Sequence, residues 1–364
     1  MRLNRLAVTD YRNLSAAVLE PAPQLTVLCG ANGQGKTNLL EAVWLLTGGK
    51  SFRGAKDAEL IRRGADFAVL EAAFEAGDRP QEIRLTVGAK GTQRPGRTVR
   101  LNGADRGRAA SIAGTFTAVA FDPNHLSLVK GGPDGRRRFL DSALCQVYRP
   151  YLVALRRYMR LTAQKNALLK SYDITPNGGV LLDTYDEQLA EYGALIMDHR
   201  CKFLAAAAPI AAQNYKDISH GAETLELHYQ MCTPAPTADA LLEKLHAMRP
   251  AELRAGFCLA GPHREDLEIL LDGQPARVYG SQGQQRSCVL AMKLAEATVV
   301  GDLFGEHPVL LLDDVLSELD DERQTYLLTR MGEHQTIVTT CDTAAFARTN
   351  GKIVMVKGGT VAEP

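Results

Sequence analysis

Over the first hundred positions short apolar runs alternate with polar residues, and beyond about residue 136 the repeat lengthens to helical spacing. Leu3, Leu6 and Val8 among polar neighbours predict a first strand, and Leu25-Thr26-Val27-Leu28-Cys29 a second that runs straight into a glycine-rich loop. Asn38 to Leu46 then has helical composition and stops at Gly48-Gly49. Further strands are expected at Ala68–Phe74, Ile83–Val87 and Thr98–Leu101, with Asn102-Gly103 as a tight hairpin turn.

The middle of the chain reads differently. Phe139, Leu140, Ala143, Leu144, Val147, Tyr151, Leu152 and Leu155 recur at helical spacing, so one long helix is expected from Arg136 to about Ser171. Pro176-Asn177-Gly178-Gly179 breaks the pattern, and a second helical run follows from Leu182 to Tyr215. Two such helices joined by a short loop form an antiparallel hairpin. Met231–Thr237 reads as a surface linker, with a shorter helix near Ala238–Met248. A strand at Asp266–Leu271 and a turn at Asp272-Gly273 mark the expected return of the first pattern. The expected organisation is therefore an α/β core made of 1–125 and 260–364, interrupted by a mainly helical lobe at 126–259.

Composition changes this picture little. The chain has 364 residues and is 45% hydrophobic, enough for a packed core. Lys and Arg number 42, as do Asp and Glu, so no whole-molecule field draws in polyanions and any nucleic-acid contact needs a local basic patch. The seven cysteines form no C-x-x-C pair and the eight histidines no zinc spacing, as expected of core thiols in a reducing cytoplasm. No apolar run approaches the length of a membrane span, so a soluble cytoplasmic protein is expected, with no membrane partner.

The chemistry lies in three separated segments. Gly30-Ala31-Asn32-Gly33-Gln34-Gly35-Lys36-Thr37 is a complete G-x-x-x-x-G-K-T loop in strand–loop–helix context. Backbone N–H groups from Asn32 to Lys36 would surround a β-phosphate, Lys36 would lie between the β- and γ-phosphates, and the Thr37 hydroxyl would ligate Mg²⁺. Val309–Leu312 is unbroken and apolar, as in a strand buried on both faces, and delivers Asp313 towards Mg²⁺ and Asp314 towards the attacking water. The plainer reading of the two carboxylates is a cap on the next segment. Ser281-Gln282-Gly283-Gln284-Gln285-Arg286 opens a helix whose capped N-terminus would suit a γ-phosphate. One chain already encloses that phosphate on its own side, so Ser281, Gly283 and Gln284 would act on ATP held by a second copy. An ordinary helix start is the plainer reading there too. Ser317-Glu318-Leu319-Asp320 would sit at the same seam.

Local runs add a resemblance. Asp10-Tyr11-Arg12-Asn13-Leu14, Leu128-Val129-Lys130-Gly131-Gly132-Pro133, Arg136-Arg137-Arg138-Phe139-Leu140-Asp141, Gln164-Lys165-Asn166, Gly261 to Leu267 and Leu311 to Asp320 together resemble the RecF family. These are bacterial recombination and repair ATPases related to SMC heads. The resemblance implies an ABC-type ATPase head: a mixed sheet with the phosphate-loop core, an antiparallel β subdomain and an inserted α-helical lobe. It further implies a homodimer formed on ATP, binding to double-stranded DNA and single–double-strand junctions, and cooperation with RecR and RecO in loading RecA at gaps.

Two departures from the general cassette pattern point to slow turnover. Asp314 is one methylene shorter than the usual glutamate, and Thr339-Thr340-Cys341-Asp342 lacks the usual switch histidine. No glutamine-loop residue is evident in Phe121-Asp122-Pro123-Asn124-His125 either. Candidate DNA contacts are Arg136, Arg137 and Arg138, with Arg12, Arg53, Arg62 and Arg63 near the top of the core; a solvated helix N-terminus or ion pairs within the fold are the competing uses for the triple arginine. Two other functions compete with the main reading. One is the ATPase subunit of a membrane transporter, the other a structural DNA clamp that never hydrolyses ATP.

Overall fold

The structure is a computed structural model describing residues 1–93, 95–342, 346 and 350–362, without the side chains of Pro123, Asn124, Asp173, Glu318 and Asp321. Glu318, expected at a subunit seam, thus has its side chain outside the described residues, as does Asn124 of the segment searched for a glutamine loop. The strands of the first half are β1 (Arg2–Tyr11), β2 (Leu14–Leu19), β3 (Leu25–Cys29), β4 (Phe67–Ala76), β5 (Arg79–Gly88), β6 (Gly96–Leu101), β7 (Ala104–Arg108) and β8 (Ala118–Phe121). Then come β9 (Leu225–Gln230), β10 (Asp266–Leu271), β11 (Gln274–Pro275), β12 (Val309–Asp313), β13 (Thr336–Thr340), β14 (Lys352–Lys357) and β15 (Thr360–Ala362). The helices are α1 (Lys36–Leu45), α2 (Ser127–Lys130), α3 (Pro133–Val147), α4 (Arg149–Lys170), α5 (Gly178–Ile218), α6 (Ala238–Ala255), α7 (Ala276–Tyr279), α8 (Gln282–Phe304) and α9 (Asp321–Arg330).

The chain divides into two compact units, Met1–His125 with Lys293–Pro364, and Leu126–Met292. In the first, an antiparallel sheet runs β2-β1-β4-β5-β6-β7, and a second sheet runs β15-β14-β3-β13-β12-β8. All neighbours in the second sheet are parallel except β15, which turns back on β14. The two patterns follow from burial. Every residue of β12 is buried, whereas β4 alternates buried and more open positions, as a sheet covered on one face requires. Helix α1 is buried almost all round and joins both sheets in one core through Leu39, Leu40, Val43 and Trp44. The buried amide of Gln335 bridges the sheets, accepting from Leu3 N (2.6 Å) and donating to Leu3 O (2.8 Å) and Ala22 O (2.9 Å). Asn102 and Gly103 both have positive φ (51° and 78°), the backbone of a primed hairpin turn.

The second unit is built on the α4–α5 hairpin. The expected single helix from Arg136 is two, because Tyr148 is extended (φ −120°, ψ 99°) and Pro150 lies in the first turn of α4. Proline has no N–H for a preceding turn, so it opens a helix where it would break a continuous one. Helix α6 runs past the expected Met248 to Ala255, where Gly256 closes it in the left-handed conformation. Strand β10 pairs with β9, a strand the sequence reading missed, in the sheet β11-β10-β9 of this unit. The expected return to the ATPase core at residue 260 therefore shifts: the division falls within α8, after Met292.

Buried charge holds the hairpin. Lys165 Nζ lies 2.6 Å from both Asp186 Oδ1 and Glu252 Oε2, all three side chains fully buried. Arg249 adds pairs to Asp183 (2.7 Å) and Asp186 (2.8 Å). Asn166 Oδ1 accepts from Cys258 N at 2.7 Å.

Candidate nucleotide site

The glycine loop leaves β3 and enters α1 through two left-handed residues, Gly33 (φ 77°) and Gly35 (φ 114°). A Cβ on Gly35 would come within 2.7 Å of Leu14 Cδ2, whereas one on Gly33 would meet nothing within 4 Å, so the loop is open on that side. Gly30 is required for a different reason: a Cβ there would lie 2.2 Å from Val356 O of the neighbouring strand. The loop is braced from outside. Asn13 Nδ2 donates to Gly33 O (3.1 Å), Gly358 N to Gln34 Oε1 (2.6 Å) and Gly359 N to Gln34 O (3.1 Å).

Within this frame Lys36 folds back on the loop, donating to Gly30 O and to Ala31 O (3.1 Å). Its ammonium stands at the loop's own carbonyls, ready to be drawn to an anion. Thr37 Oγ1 donates to Asp313 Oδ1 at 2.8 Å, which brings the end of β12 to the start of α1. Thr339 Oγ1 donates to the same Asp313 oxygen (2.8 Å) and accepts from Asp314 N (2.9 Å). Burial and the nearby Asp122 carboxylate push Asp313 above the usual carboxylate range, against the two hydroxyl donors and the charge of Arg53. A hydroxyl and a carboxylate 2.8 Å apart beside an open phosphate loop fit Mg²⁺, which takes one or two protein oxygens and shares the rest with phosphates and water. Asp314 next along has φ 52°, a conformation an aspartate tolerates better than most side chains. Cys341 Sγ completes the wall, 3.0 Å from Asn32 Oδ1 and 3.4 Å from Lys36 Nζ.

The Ser281 turn belongs to the other unit. Gln284 N donates to Ser281 Oγ (3.2 Å) and Ser281 N to Gln284 Oε1 (2.6 Å), a reciprocal capping box at the start of α8. Ser281 is exposed, and its O–H is given to no acceptor among the described residues. Gln284, expected to reach a nucleotide, is engaged at both ends of its amide, since Nε2 donates to Glu223.

The arginines separate by environment. Arg136 is buried and bidentate to Asp266 (2.7 and 2.8 Å), with further bonds to Leu128 O and Gly131 O, so it is a core residue and not a DNA contact. Arg12 is likewise withdrawn, bidentate at 2.8 Å to the fully buried Glu41, which also accepts from Tyr11 and Ser51. Burial would raise Glu41, but these hydrogen bonds and the Arg12 charge outweigh it and hold the carboxyl low. Arg137 donates to Glu265 O and pairs with Asp134. Arg53 bonds Asn38 Oδ1 (3.0 Å) beside the phosphate loop. Arg53 itself, Arg138, Arg62 and Arg63 remain exposed, Arg62 in a pair with Asp10. Sequence reasoning missed Gly358 and Gly359, named Asn13 without giving it a role in the site, and met Thr339 and Cys341 only in a segment that lacks a histidine.

Comparison with known proteins agrees with this geometry. A family model described as "RecF/RecN/SMC N terminal domain" matches residues 2–361. The "DNA replication and repair protein RecF" of a Picosynechococcus species is 38% identical, over 99% of this chain and 97% of its own length. The chain belongs to the RecF family. The Heliobacterium modesticaldum RecF is 37% identical, over 95% and 94% of the two chains. A solved structure of "the recombination mediator protein RecF-ATPrS in RecFOR pathway" superposes with a TM-score of 0.91 at 32% identity, covering 99% of this chain and 97% of that one. An Smc head domain from Pyrococcus furiosus, 18% identical with a TM-score of 0.55, shares the fold. The family and the fold are thus those expected of a DNA replication and repair ATPase. Among the described residues no helix is long and apolar enough to cross a membrane.

Proposed function

We propose that the chain is a slow ATPase that pairs with a second copy on binding ATP and Mg²⁺ and so closes on DNA during recombinational repair. The carrying observation is the 2.8 Å contact of Thr37 with Asp313 beside a phosphate loop that is open around Gly33. The loop N–H groups from Asn32 to Lys36 receive the β-phosphate, and Lys36 leaves the carbonyls of Gly30 and Ala31 for the β- and γ-phosphates. When bound, Mg²⁺ neutralises charge on the phosphate oxygens, with Thr37 and Asp313 holding it. Asp314 orients a water and takes its proton as the water oxygen bonds the γ-phosphorus and the bond to the β–γ bridging oxygen breaks. The partner protomer offers its Ser281 O–H and α8 N-terminus to the γ-phosphate, completing the electrostatic set.

With an aspartate and no histidine to hold the water, turnover is expected at or below about 1 s⁻¹, low in the enzymatic range, so ATP times the closed state. The solved relative is a recombination mediator of the RecFOR pathway, which supports RecR and RecO as partners here; DNA junctions and RecA loading downstream complete the proposal. Light scattering with ATP and Mg²⁺, with and without a gapped duplex, tests the pairing: mass should double with ATP and the dimer last longer on DNA. A chain that stays single under all these conditions refutes it. The aspartate in place of glutamate also favours a clamp that never hydrolyses. Asp314→Asn decides: its ATP dimers should outlive those of the unaltered protein, and equal decay would leave only the clamp.

A further inference from the structure

The signature turn is held by a side-chain relay from the long helix of the lobe. Tyr215, buried near the C-terminal end of α5, donates to Glu223 Oε2 at 2.5 Å. Glu223 accepts in turn from Gln284 Nε2, and Gln284 closes the capping box with Ser281. One residue before Tyr215, the buried Asn214 donates to Ala291 O of α8 (3.3 Å). The end of α5 therefore grips α8 at its first turn and again two turns later.

We infer that Glu223 is a positioning residue for the seal each protomer places on its partner's triphosphate, an inference that rests on the paired-subunit reading above. Its carboxylate fixes which way the Gln284 amide faces. With Nε2 pinned on Glu223, the Gln284 carbonyl must face Ser281 N and the Ser281 oxygen must accept from Gln284 N. With its oxygen accepting from Gln284 N, Ser281 keeps its O–H to donate outward beside the N–H groups that open α8. Without Glu223, the amide can rotate, Ser281 N loses its acceptor and the hydroxyl loses its fixed direction. The Glu223 carboxylate, as an anion, is a poor group for touching phosphate directly. Its use is to orient donors, and Tyr215 keeps it turned towards Gln284.

The test uses the full chain. Nucleotide affinity is measured with a fluorescent ATP analogue at protein concentrations where the chain is single, and association by light scattering across protein concentration with ATP and Mg²⁺. Glu223→Ala should leave the first unchanged and weaken the second about ten-fold or more, the scale of a lost hydrogen bond to a charged group. Tyr215→Phe should act in the same direction and more weakly. Glu223→Gln, which still presents an oxygen to Gln284, should restore most of the association. Ordinary association by Glu223→Ala, or failure of Glu223→Gln to do better than alanine, overturns the inference. If the unaltered protein itself does not pair, the paired-subunit reading has failed instead.

Discussion

Single side chains around the phosphate loop carry consequences that can be read one at a time. Cys341 is the exposed thiol of the chain, 3.4 Å from Lys36 Nζ, whereas burial pushes Cys232, Cys258 and Cys288 up to about 12. A maleimide should therefore react first at Cys341, add bulk where the γ-phosphate is expected and abolish nucleotide binding, while ATP and Mg²⁺ slow the labelling. Mass spectrometry of the labelled peptide with a binding titration checks this; a labelled protein that binds nucleotide normally contradicts it. The residues of this site divide by how they could be found. Lys36, Thr37 and Asp313 were legible because a glycine loop between strand and helix, and an apolar strand ending in carboxylates, constrain side chains locally. Asn13, Thr339 and Gly359 are ordinary in their own segments and meet the loop only once the chain has folded. Arg136 and Arg12 misled for the converse reason, since charge in a sequence carries no mark of the Asp266 or Glu41 that buries it.

Among the elements, the α4–α5 hairpin depends on charge as well as on its apolar stripe. Burial opposes the Lys165 ammonium, but the neighbouring Cys258, Asp186 and Glu252 outweigh it and raise the group above its ordinary value. A raised folded value means the pairing stabilises fully below the unfolded pKa of about 10.4 and fades as pH climbs through the folded one. Lys165→Met would strip the buried Glu252 of its cation and leave Asp186 to Arg249 alone, a loss on the order of 3–5 kcal/mol. Calorimetry should find the melting point of the lobe lowered by roughly 10 °C; an unchanged melting point would show the cluster to be dispensable. Helical periodicity made the helices legible, including the break between α4 and α5. Where the first run divides was not, because Pro150 can either end a helix or begin one and only the extended Tyr148 decides. Strand β9 was hidden between a helix and a linker, and with it the pairing that keeps β10 in the lobe.

At the scale of the whole molecule, equal numbers of acidic and basic residues mean that DNA binding has to be assembled from local patches. With Arg136 buried on Asp266 and Arg12 tied to Glu41, Arg53, Arg62, Arg63 and Arg138 are the arginines named from the sequence that stay exposed to meet phosphate. Each phosphate neutralised steepens the fall of log affinity with log salt by about 0.9 on duplex DNA, so a few contacts per protomer bind weakly. A dimer formed as proposed would offer each of these cations twice to one duplex, so its contacts would add in the slope while its affinities multiply through effective concentration. Fluorescence anisotropy on a duplex across a salt series should therefore give a shallow line without nucleotide and a line about twice as steep with ATP and Mg²⁺. Arg138→Glu should flatten both lines and weaken binding at every sequence equally, because phosphate contacts read no bases. Arg136→Ala should act elsewhere, lowering the melting point of the lobe through the stranded Asp266 carboxylate. If the salt slope is the same with and without ATP while light scattering reports a dimer, pairing does not gather the basic patches onto one duplex, and the DNA contacts lie on some other surface.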